Sequence, residues 1–153
     1  EESRVNNDYY DLGAGNDFAR DGFGRNTIIG ADGDDSIRGG FFGDQLFGDA
    51  GRDTLRGGPR ADTIDGGAGR DRLFGYAGND SLLGGNNDDV LVGGEGADTL
   101  IGNQGDDMLV AGPVALAATS RNHIDGGRGF DSSLREQEDD ELVSVERVVD
   151  VIA

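Results

Sequence analysis

The chain of 153 residues carries 31 acidic and 13 basic residues, which gives it a formal net charge of −18 at pH 7. This charge argues against nucleic acid and anionic membrane surfaces as partners, because both would repel it. The length is typical of a single domain with a modest core. The lack of cysteine excludes disulfide bonds, and no apolar run of about 18 residues is present that could span a membrane.

The amino-terminal segment reads EESRVNN and has neither methionine nor an apolar signal-like stretch. This start is typical of a chain that has been processed or excised from a longer one. The composition, with 29 glycines and a large acidic excess, would by itself favour a flexible linker. The order of the residues that follow argues against that interpretation.

Residues 3–110 divide into twelve consecutive units of nine residues without an insertion. Position 6 of the unit is aspartate in every unit but the third, where it is Asn26, and position 8 is Ile or Leu from Ile28 to Leu109. A flexible linker has no reason to keep such positions in phase, so the pattern indicates a repeat architecture. Position 4 is glycine in eight units, and the exceptions are Asn6, Phe42, Arg60 and Asn87.

Each unit predicts a turn followed by a short strand. Glycines in positions 1–6 allow positive φ and hence tight turns, whereas positions 7–9 are often β-favouring, as in TII and TLR. Two units per coil, stacked about 4.8 Å apart, would form two facing parallel sheets. The position-8 residues would fill the space between them, and these are Ile28, Ile37, Leu46, Leu55, Ile64, Leu73, Leu82, Leu91, Leu100 and Leu109.

The pattern GGxGxDxUx, in which U is aliphatic, resembles the RTX (repeat-in-toxin) hemolysin-type calcium-binding nonapeptide repeat. The stretch GGAGRDRLFGYAGND at residues 66–80 shows two such units. The resemblance implies an all-β, right-handed parallel β-roll with two nonapeptides per coil and several Ca²⁺ ions between coils. Calcium prefers six to eight oxygen ligands, which aspartates and glycine-loop carbonyls can provide. Without cations, carboxylates about 4.8 Å apart would repel by roughly 0.9 kcal/mol in water and 3.5 kcal/mol at a dielectric near 20.

Successive units lie on opposite sides of the roll, so the position-6 residues separate into two columns with a period of eighteen. The column at the first edge comprises Asp17, Asp35, Asp53, Asp71, Asp89 and Asp107 and continues to Asp131. The column at the second edge comprises Asp8, Asn26, Asp44, Asp62, Asp80 and Asp98. The resemblance implies that each ion takes position-6 carboxylates from two stacked loops, and we assign all of these side chains except Asp8 and Asn26 to calcium. The backbone carbonyls assigned to calcium are those of Gly13, Gly15, Gly33, Gly51, Gly67, Gly69, Gly78, Gly94, Gly96 and Gly105.

The two edges are predicted to differ in occupancy. The first edge keeps glycine at position 4 except at Asn87, and nearly full calcium occupancy is expected there. The second edge departs from the motif in SRVNND, DGFGRN, GGFFGD and GGPRAD, and the non-glycine residues Phe42 and Arg60 at position 4 predict strain at positive φ. Secure sites on that edge are expected only around Asp62, Asp80 and Asp98.

Beyond residue 110 the register is interrupted. Residues 111–125 read as one unit with six extra residues, interpreted as a surface loop that covers an outer sheet face, and 126–134 as a last repeat. The calcium-binding roll is therefore predicted to span 1–134. Residues 135–153 are predicted to form a cap of one or two strands after a polar turn. The final DVIA resembles the acidic and aliphatic ending of type I secretion substrates.

Position 9 points outward and places Arg20, Arg38 and Arg56 in one row. Such a row could bind an anion, but we favour the interpretation that it offsets local acidic charge. The neighbouring apolar position-9 residues could mark a contact surface. Cover by the insertion, the carboxy-terminal segment or another domain is the interpretation that we prefer.

No catalytic constellation is visible in the sequence. It lacks H-E-x-x-H and G-x-S-x-G motifs, and its one histidine, His123, is assigned with Ser120 to the irregular insertion. We therefore predict a non-catalytic, secreted, monomeric calcium-binding module that folds when calcium binds and supports type I secretion, as the resemblance implies. An adhesin-type module for carbohydrates or cell surfaces is the alternative, followed by an accessory domain of a secreted enzyme. Ice binding is disfavoured because position 3 has no threonine row.

Overall fold

The computed structural model describes residues 7–112, 122–135, 141–145 and 147–150. These ranges contain sixteen β-strands and no helix, and so no helix there could cross a membrane. In chain order the strands are β1 (Tyr9–Asp11), β2 (Phe18–Arg20), β3 (Thr27–Asp32), β4 (Ser36–Arg38), β5 (Gln45–Ala50), β6 (Thr54–Gly58), β7 (Thr63–Ala68), β8 (Arg72–Ala77), β9 (Ser81–Asn86), β10 (Val90–Glu95), β11 (Thr99–Gln104), β12 (Met108–Val110), β13 (His123–Arg128), β14 (Ser132–Arg135), β15 (Glu141–Val143) and β16 (Arg147–Asp150).

The strands form two parallel sheets of eight. The odd-numbered strands follow one another from β1 to β15 in one sheet, and the even-numbered strands from β2 to β16 in the other. Each strand therefore pairs with the strand two places along the chain, and Leu73 lies beside Leu91 and Leu55 in the register. This topology confirms the predicted all-β parallel β-roll with two nonapeptides per coil.

The core is a single layer of aliphatic side chains between the sheets. All ten predicted position-8 residues are at most 1% exposed, and the buried Ile124 and Ala111 extend the layer. Burying a Leu or Ile side chain contributes about 1.5–3 kcal/mol, so the layer gives each coil one modest hydrophobic contribution from each sheet. The stacked loops must supply the rest of the structure's stability.

The strands are longer than predicted. Eight of the sixteen run for six residues, from position 7 of one unit to position 3 of the next, as in β8 (Arg72–Ala77). Pairing continues through positions 2 and 3, where Tyr76 lies beside Gly94 and Ala77 beside Glu95. Position 2 reaches positive φ even in some non-glycine residues, including Tyr76 at 78° and Asn103 at 76°. The expected turn over positions 1–6 is thus confined to positions 4–6.

The carboxy-terminal elements continue the same two sheets. β13 (His123–Arg128) resumes the coil after the insertion and pairs with β11, and β15 and β16 each add a parallel strand at the end of a sheet. The predicted role of the insertion as an outer cover depends on residues 113–121, and the apolar part of the DVIA ending is residues 151–153, all of which lie outside the described ranges. The domain boundaries at 1–134 and 135–153 remain a prediction.

Candidate metal centre

The position-6 side chains stack in two columns, one at each edge of the roll. In both columns the backbone N–H of a position-6 residue donates to the Oδ1 atom of the position-6 residue in the next coil, at 2.7–2.9 Å. Asp71, for example, accepts from Asp53 and donates to Asp89, each at 2.8 Å. One oxygen of each carboxylate is therefore used in holding adjacent coils together.

The second carboxylate oxygen is buried without such a partner. Within the described part of the chain, the buried Oδ2 atoms that have no hydrogen-bond partner include those of Asp17, Asp35, Asp44, Asp53, Asp62, Asp71, Asp80, Asp89, Asp98 and Asp107. A buried, unpaired carboxylate oxygen is costly, because no water or donor replaces its lost hydration. A column of such atoms fits a bound cation, which would satisfy them.

The pKa values of these carboxyl groups support the same interpretation. Burial is the largest cause that raises the pKa of Asp89 to about 8 and that of Asp80 to about 7, and repulsion from the neighbouring aspartates adds to it. Burial likewise raises the pKa of Asp53, Asp62 and Asp107 to about 6. Hydrogen bonds from the backbone oppose the rise in each case. Keeping all of these groups ionised at neutral pH therefore calls for positive charge nearby.

Glycine at position 1 makes room for the carboxylates. A Cβ atom built on Gly66 would lie 2.6 Å from Oδ2 of Asp71 and 2.6 Å from the carbonyl oxygen of Gly84 in the next coil. Gly75 has the same relation to Asp80 and Gly93, at 2.3 and 2.6 Å. No side chain fits there, so Oδ2 stays close to a backbone carbonyl. The sequence assignment omitted the position-1 glycines, although glycine occupies position 1 in nine consecutive units from Gly30.

The ten glycines assigned to calcium all lie at positive φ, between 84° for Gly13 and 143° for Gly69. The carbonyls of several of them, including Gly51 and Gly78, face the next coil. A Cβ atom on Gly69 would lie 1.6 Å from the carbonyl oxygen of Gly51, and one on Gly96 would lie 1.6 Å from that of Gly78. The backbone conformation thus favours glycine at these points and directs carbonyl oxygens along the edges of the roll.

Two loops of the second edge have a different backbone. The expected strain at position 4 is wrong for Phe42 and Arg60, because neither residue has positive φ. Their loops also lack positive φ at position 2, and the backbone amides of Gly40 and Gly58 oppose the burial-driven rise in the pKa of Asp44 and Asp62. These loops therefore relieve strain by changing conformation, and they direct amide donors towards carboxylates.

Position 5 forms a second, exposed column. Arg52 pairs with Asp34 at 3.3 Å and Arg70 with Asp88 at 2.6 Å, with both arginines about two-thirds exposed. The backbone amide of Arg52 is the largest cause that lowers the pKa of Asp34. Exposed pairs of this kind contribute little because water and salt screen them, so this column is secondary to the buried one.

The prediction that His123 lies in an irregular loop is wrong. His123 is the first residue of β13, and its Nδ1 lies 3.2 Å from Oε2 of Glu141 on the adjacent strand. His123 belongs to a strand because β13 continues the coil directly after Asn122 and forms the hydrogen bonds of the sheet. Ser120, which the sequence paired with it, lies outside the described residues.

Backbone oxygens must supply many of the ligands. Within the described ranges, no group of three or more His, Cys, Asp or Glu side chains converges on one point. An ion at either edge would meet aspartates from successive coils and otherwise carbonyl groups. Calcium binds such flexible, all-oxygen ligand sets, whereas zinc and softer metals prefer nitrogen and sulfur ligands.

Stacked glycine loops with buried columns of carboxylates define a calcium-binding parallel β-roll. A family model described as the RTX calcium-binding nonapeptide repeat matches the chain in four copies, at residues 6–19, 11–46, 47–82 and 83–113. The chain therefore belongs to this family, and its cofactor is Ca²⁺. No curated protein and no solved structure matches the chain.

Proposed function

We propose that this chain is a calcium-induced folding module of a secreted bacterial protein. The observation that carries the proposal is the set of buried Oδ2 atoms that have no hydrogen-bond partner. The calcium ligands are the eleven aspartate side chains and ten glycine carbonyls assigned from the sequence, together with carbonyls of the position-1 glycines. Each ion between two coils would remove the cost of burying unpaired carboxylates and would link loops eighteen residues apart.

Folding and calcium binding are coupled in this proposal. The aliphatic layer is thin, and neighbouring carboxylates repel one another without cations. The chain would remain unfolded at the submicromolar calcium of a cytoplasm and fold at the millimolar calcium outside the cell. That behaviour suits type I secretion, in which an unfolded chain is exported and its folding outside the cell opposes backward movement.

The test is a calcium titration of the full chain followed by far-ultraviolet circular dichroism, starting in excess chelator. We expect β-structure to appear cooperatively with calcium and not with the same concentration of magnesium, which prefers rigid octahedral sites. A chain that is already rich in β-structure in chelator would overturn the coupled folding. Light scattering at the end of the titration would check the expected monomer.

A second candidate function is binding of an acidic polysaccharide to the outer face of the even-numbered sheet. Arg20, Arg38 and Arg56 lie side by side in the register of β2, β4 and β6. None of the three has a salt-bridge partner in the described residues, and the guanidinium of Arg56 lies 5.4 Å from the ring centre of Phe74. A row of unpaired arginines ending on an aromatic ring offers carboxylate or sulfate recognition beside a stacking surface.

This candidate is tested by binding of dextran sulfate to the calcium-loaded chain, with neutral dextran as the control polymer. Arg38→Gln should weaken binding at least about tenfold, whereas Arg52→Gln, which removes an arginine already paired with Asp34, should have a small effect. Equal losses from both variants would indicate general charge attraction and would reject a site on this face. Binding to anionic lipid vesicles in place of the polymer would also reject it.

A further inference from the structure

One coil of the second edge departs from the repeat at two positions at once. Its loop reads DGFGRN, with Asp21 at position 1, where the next nine units have glycine, and Asn26 at position 6, where those units have aspartate. Both residues lie where the other coils place the glycine and carboxylate of the calcium column. The two departures therefore have to be considered together.

Asn26 keeps the stacking role of the position-6 side chain. Its Oδ1 accepts from the backbone N–H of Asp8 at 2.7 Å, and its own backbone N–H donates to Oδ1 of Asp44 at 2.8 Å. The residue is 1% exposed. Since Oδ1 is used as the acceptor for Asp8, the other end of the amide is the NH₂ group, and it occupies the place that Oδ2 takes in the aspartates.

This NH₂ group is satisfied within the protein. Nδ2 of Asn26 donates to Oδ2 of Asp21 and to the carbonyl oxygen of Phe23, the latter at 3.4 Å. An amide NH₂ has two donors and no acceptor, so it cannot bind a metal ion. The carboxylate of Asp21 and a backbone carbonyl, both of the types that bind calcium, are thus directed at a nitrogen atom. The residues of this coil do not fit a calcium ion.

We propose that the Asp21–Asn26 pair replaces a calcium ion in this coil, so that the second edge begins with a metal-independent turn. The NH₂ group of Asn26 donates to oxygens that would otherwise bind a cation. Asp21 supplies a side-chain acceptor for it, which glycine cannot. This inference rests on the proposed function, because it requires the aspartate coils to bind calcium. Its consequence is that both residues must change together to restore a calcium site.

The pattern at the far end of the same edge agrees with this inference. Asn122 occupies position 6 there and accepts from the backbone N–H of Asp98 at 2.7 Å. The unit to which it belongs begins with Ala111 instead of glycine. In both of these coils, asparagine at position 6 thus occurs together with a residue other than glycine at position 1.

The experiment counts calcium ions bound to the folded full chain by native mass spectrometry and measures thermal unfolding in saturating calcium. Asp21→Gly combined with Asn26→Asp restores the consensus loop and should bind one more ion than the unmodified chain. Asp21→Gly alone should add no ion and should lower the melting temperature, because Nδ2 of Asn26 loses its charged acceptor. The double variant should recover that loss.

Asp80→Asn is the matched control, because it places asparagine at position 6 of another coil on the same edge, where Gly75 provides no acceptor side chain and Gly78 keeps its positive φ. It should lower the number of bound ions by at least one. If the double variant binds no additional ion while Asp80→Asn loses one, the proposed replacement is wrong and the proposed function stands. If the unmodified chain binds no calcium, the proposed function itself fails.

Discussion

The two edges of the roll use the same nonapeptide but differ in its amino-terminal half. On the first edge, Asp35 and Asp53 follow loops with glycine at positive φ in position 4. On the second edge, the loops before Asp44 and Asp62 have lost that conformation, and the coil before them has asparagine. The column of N–H to Oδ1 hydrogen bonds nevertheless runs unbroken along both edges.

This difference shows that the position-6 side chain has two separable roles, the stacking of coils and metal binding. Oδ1 holds adjacent coils together and is present in both aspartate and asparagine, so the column tolerates either residue. Oδ2 has the metal-binding role proposed here, which only aspartate can fill, and in most coils glycine at position 1 and carbonyls from left-handed loops support it. The second edge can therefore lose calcium ligands while keeping the architecture of the roll.

The largest effect is expected from a methyl group at position 1. Gly66→Ala would place Cβ 2.6 Å from both Oδ2 of Asp71 and the carbonyl oxygen of Gly84. We expect a loss of about 3 kcal/mol of stability in calcium because neither backbone nor carboxylate can move easily. The control is Gly22→Ala on the second edge, where nothing lies within 4 Å and φ is not positive. Chemical denaturation measures both, and equal losses would contradict the assigned role of position 1.

Asp71→Asn should separate the two oxygens of one side chain. Asparagine keeps the Oδ1 acceptor for Asp53 but replaces the oxygen assigned to two adjacent calcium sites. We expect the calcium midpoint of folding to rise about tenfold, which corresponds to about 1.4 kcal/mol. Asp8→Asn, at the start of the second edge, should change the midpoint little. Calorimetric titration would measure both, and matching shifts would remove the distinction between the edges.

Acid should favour the metal-free fold. Because the folded-state pKa is raised to about 8 for Asp89 and about 7 for Asp80, the folded chain binds protons that the unfolded chain releases. Its stability is thus greatest below about pH 4 and is lost as pH rises through about 6 to 8. In chelator, circular dichroism should show more β-structure near pH 4 than near pH 8. With calcium the order should reverse, because protons compete with the metal.

A smaller pH effect should distinguish individual carboxylates. Asp89→Asn removes the group with the pKa near 8, so it should reduce the loss of metal-free structure between about pH 7 and 8. A profile identical to that of the unmodified chain would mean that overall charge, and not this buried column, causes the pH dependence.

The smallest effects are expected at position 4, and they should have opposite signs. Asn87→Gly on the first edge should stabilise the chain by about 0.5 kcal/mol, because Asn87 has a φ of 78° that glycine adopts without strain. Arg60→Gly on the second edge should destabilise it by about 0.5 kcal/mol, because Arg60 is not left-handed and glycine only adds flexibility to the unfolded chain. Thermal unfolding in calcium measures both.

The repeat phase was sufficient to predict the pairing of residues. A strict nine-residue period with Ile or Leu at position 8 leaves one way to bury a continuous row, and Ile28 through Leu109 occupy it as predicted. The period of eighteen likewise placed Asp53, Asp71 and Asp89 in one column. Strand length was not predictable in this way, because pairing through position 2 depends on left-handed residues such as Tyr76.

By itself, the sequence determined the phase, the core row and the two columns of the roll, because a fixed spacing decides which side chains meet. Only the tertiary structure decided what each atom of those side chains does. Oδ1 and Oδ2 of Asp71 are chemically equivalent in the sequence, and they differ because one accepts from an amide eighteen residues away and the other is buried without a hydrogen-bond partner. The relaxed backbone at Arg60 and the contact between Asp21 and Asn26 arise in the same way, from neighbours that local spacing does not specify.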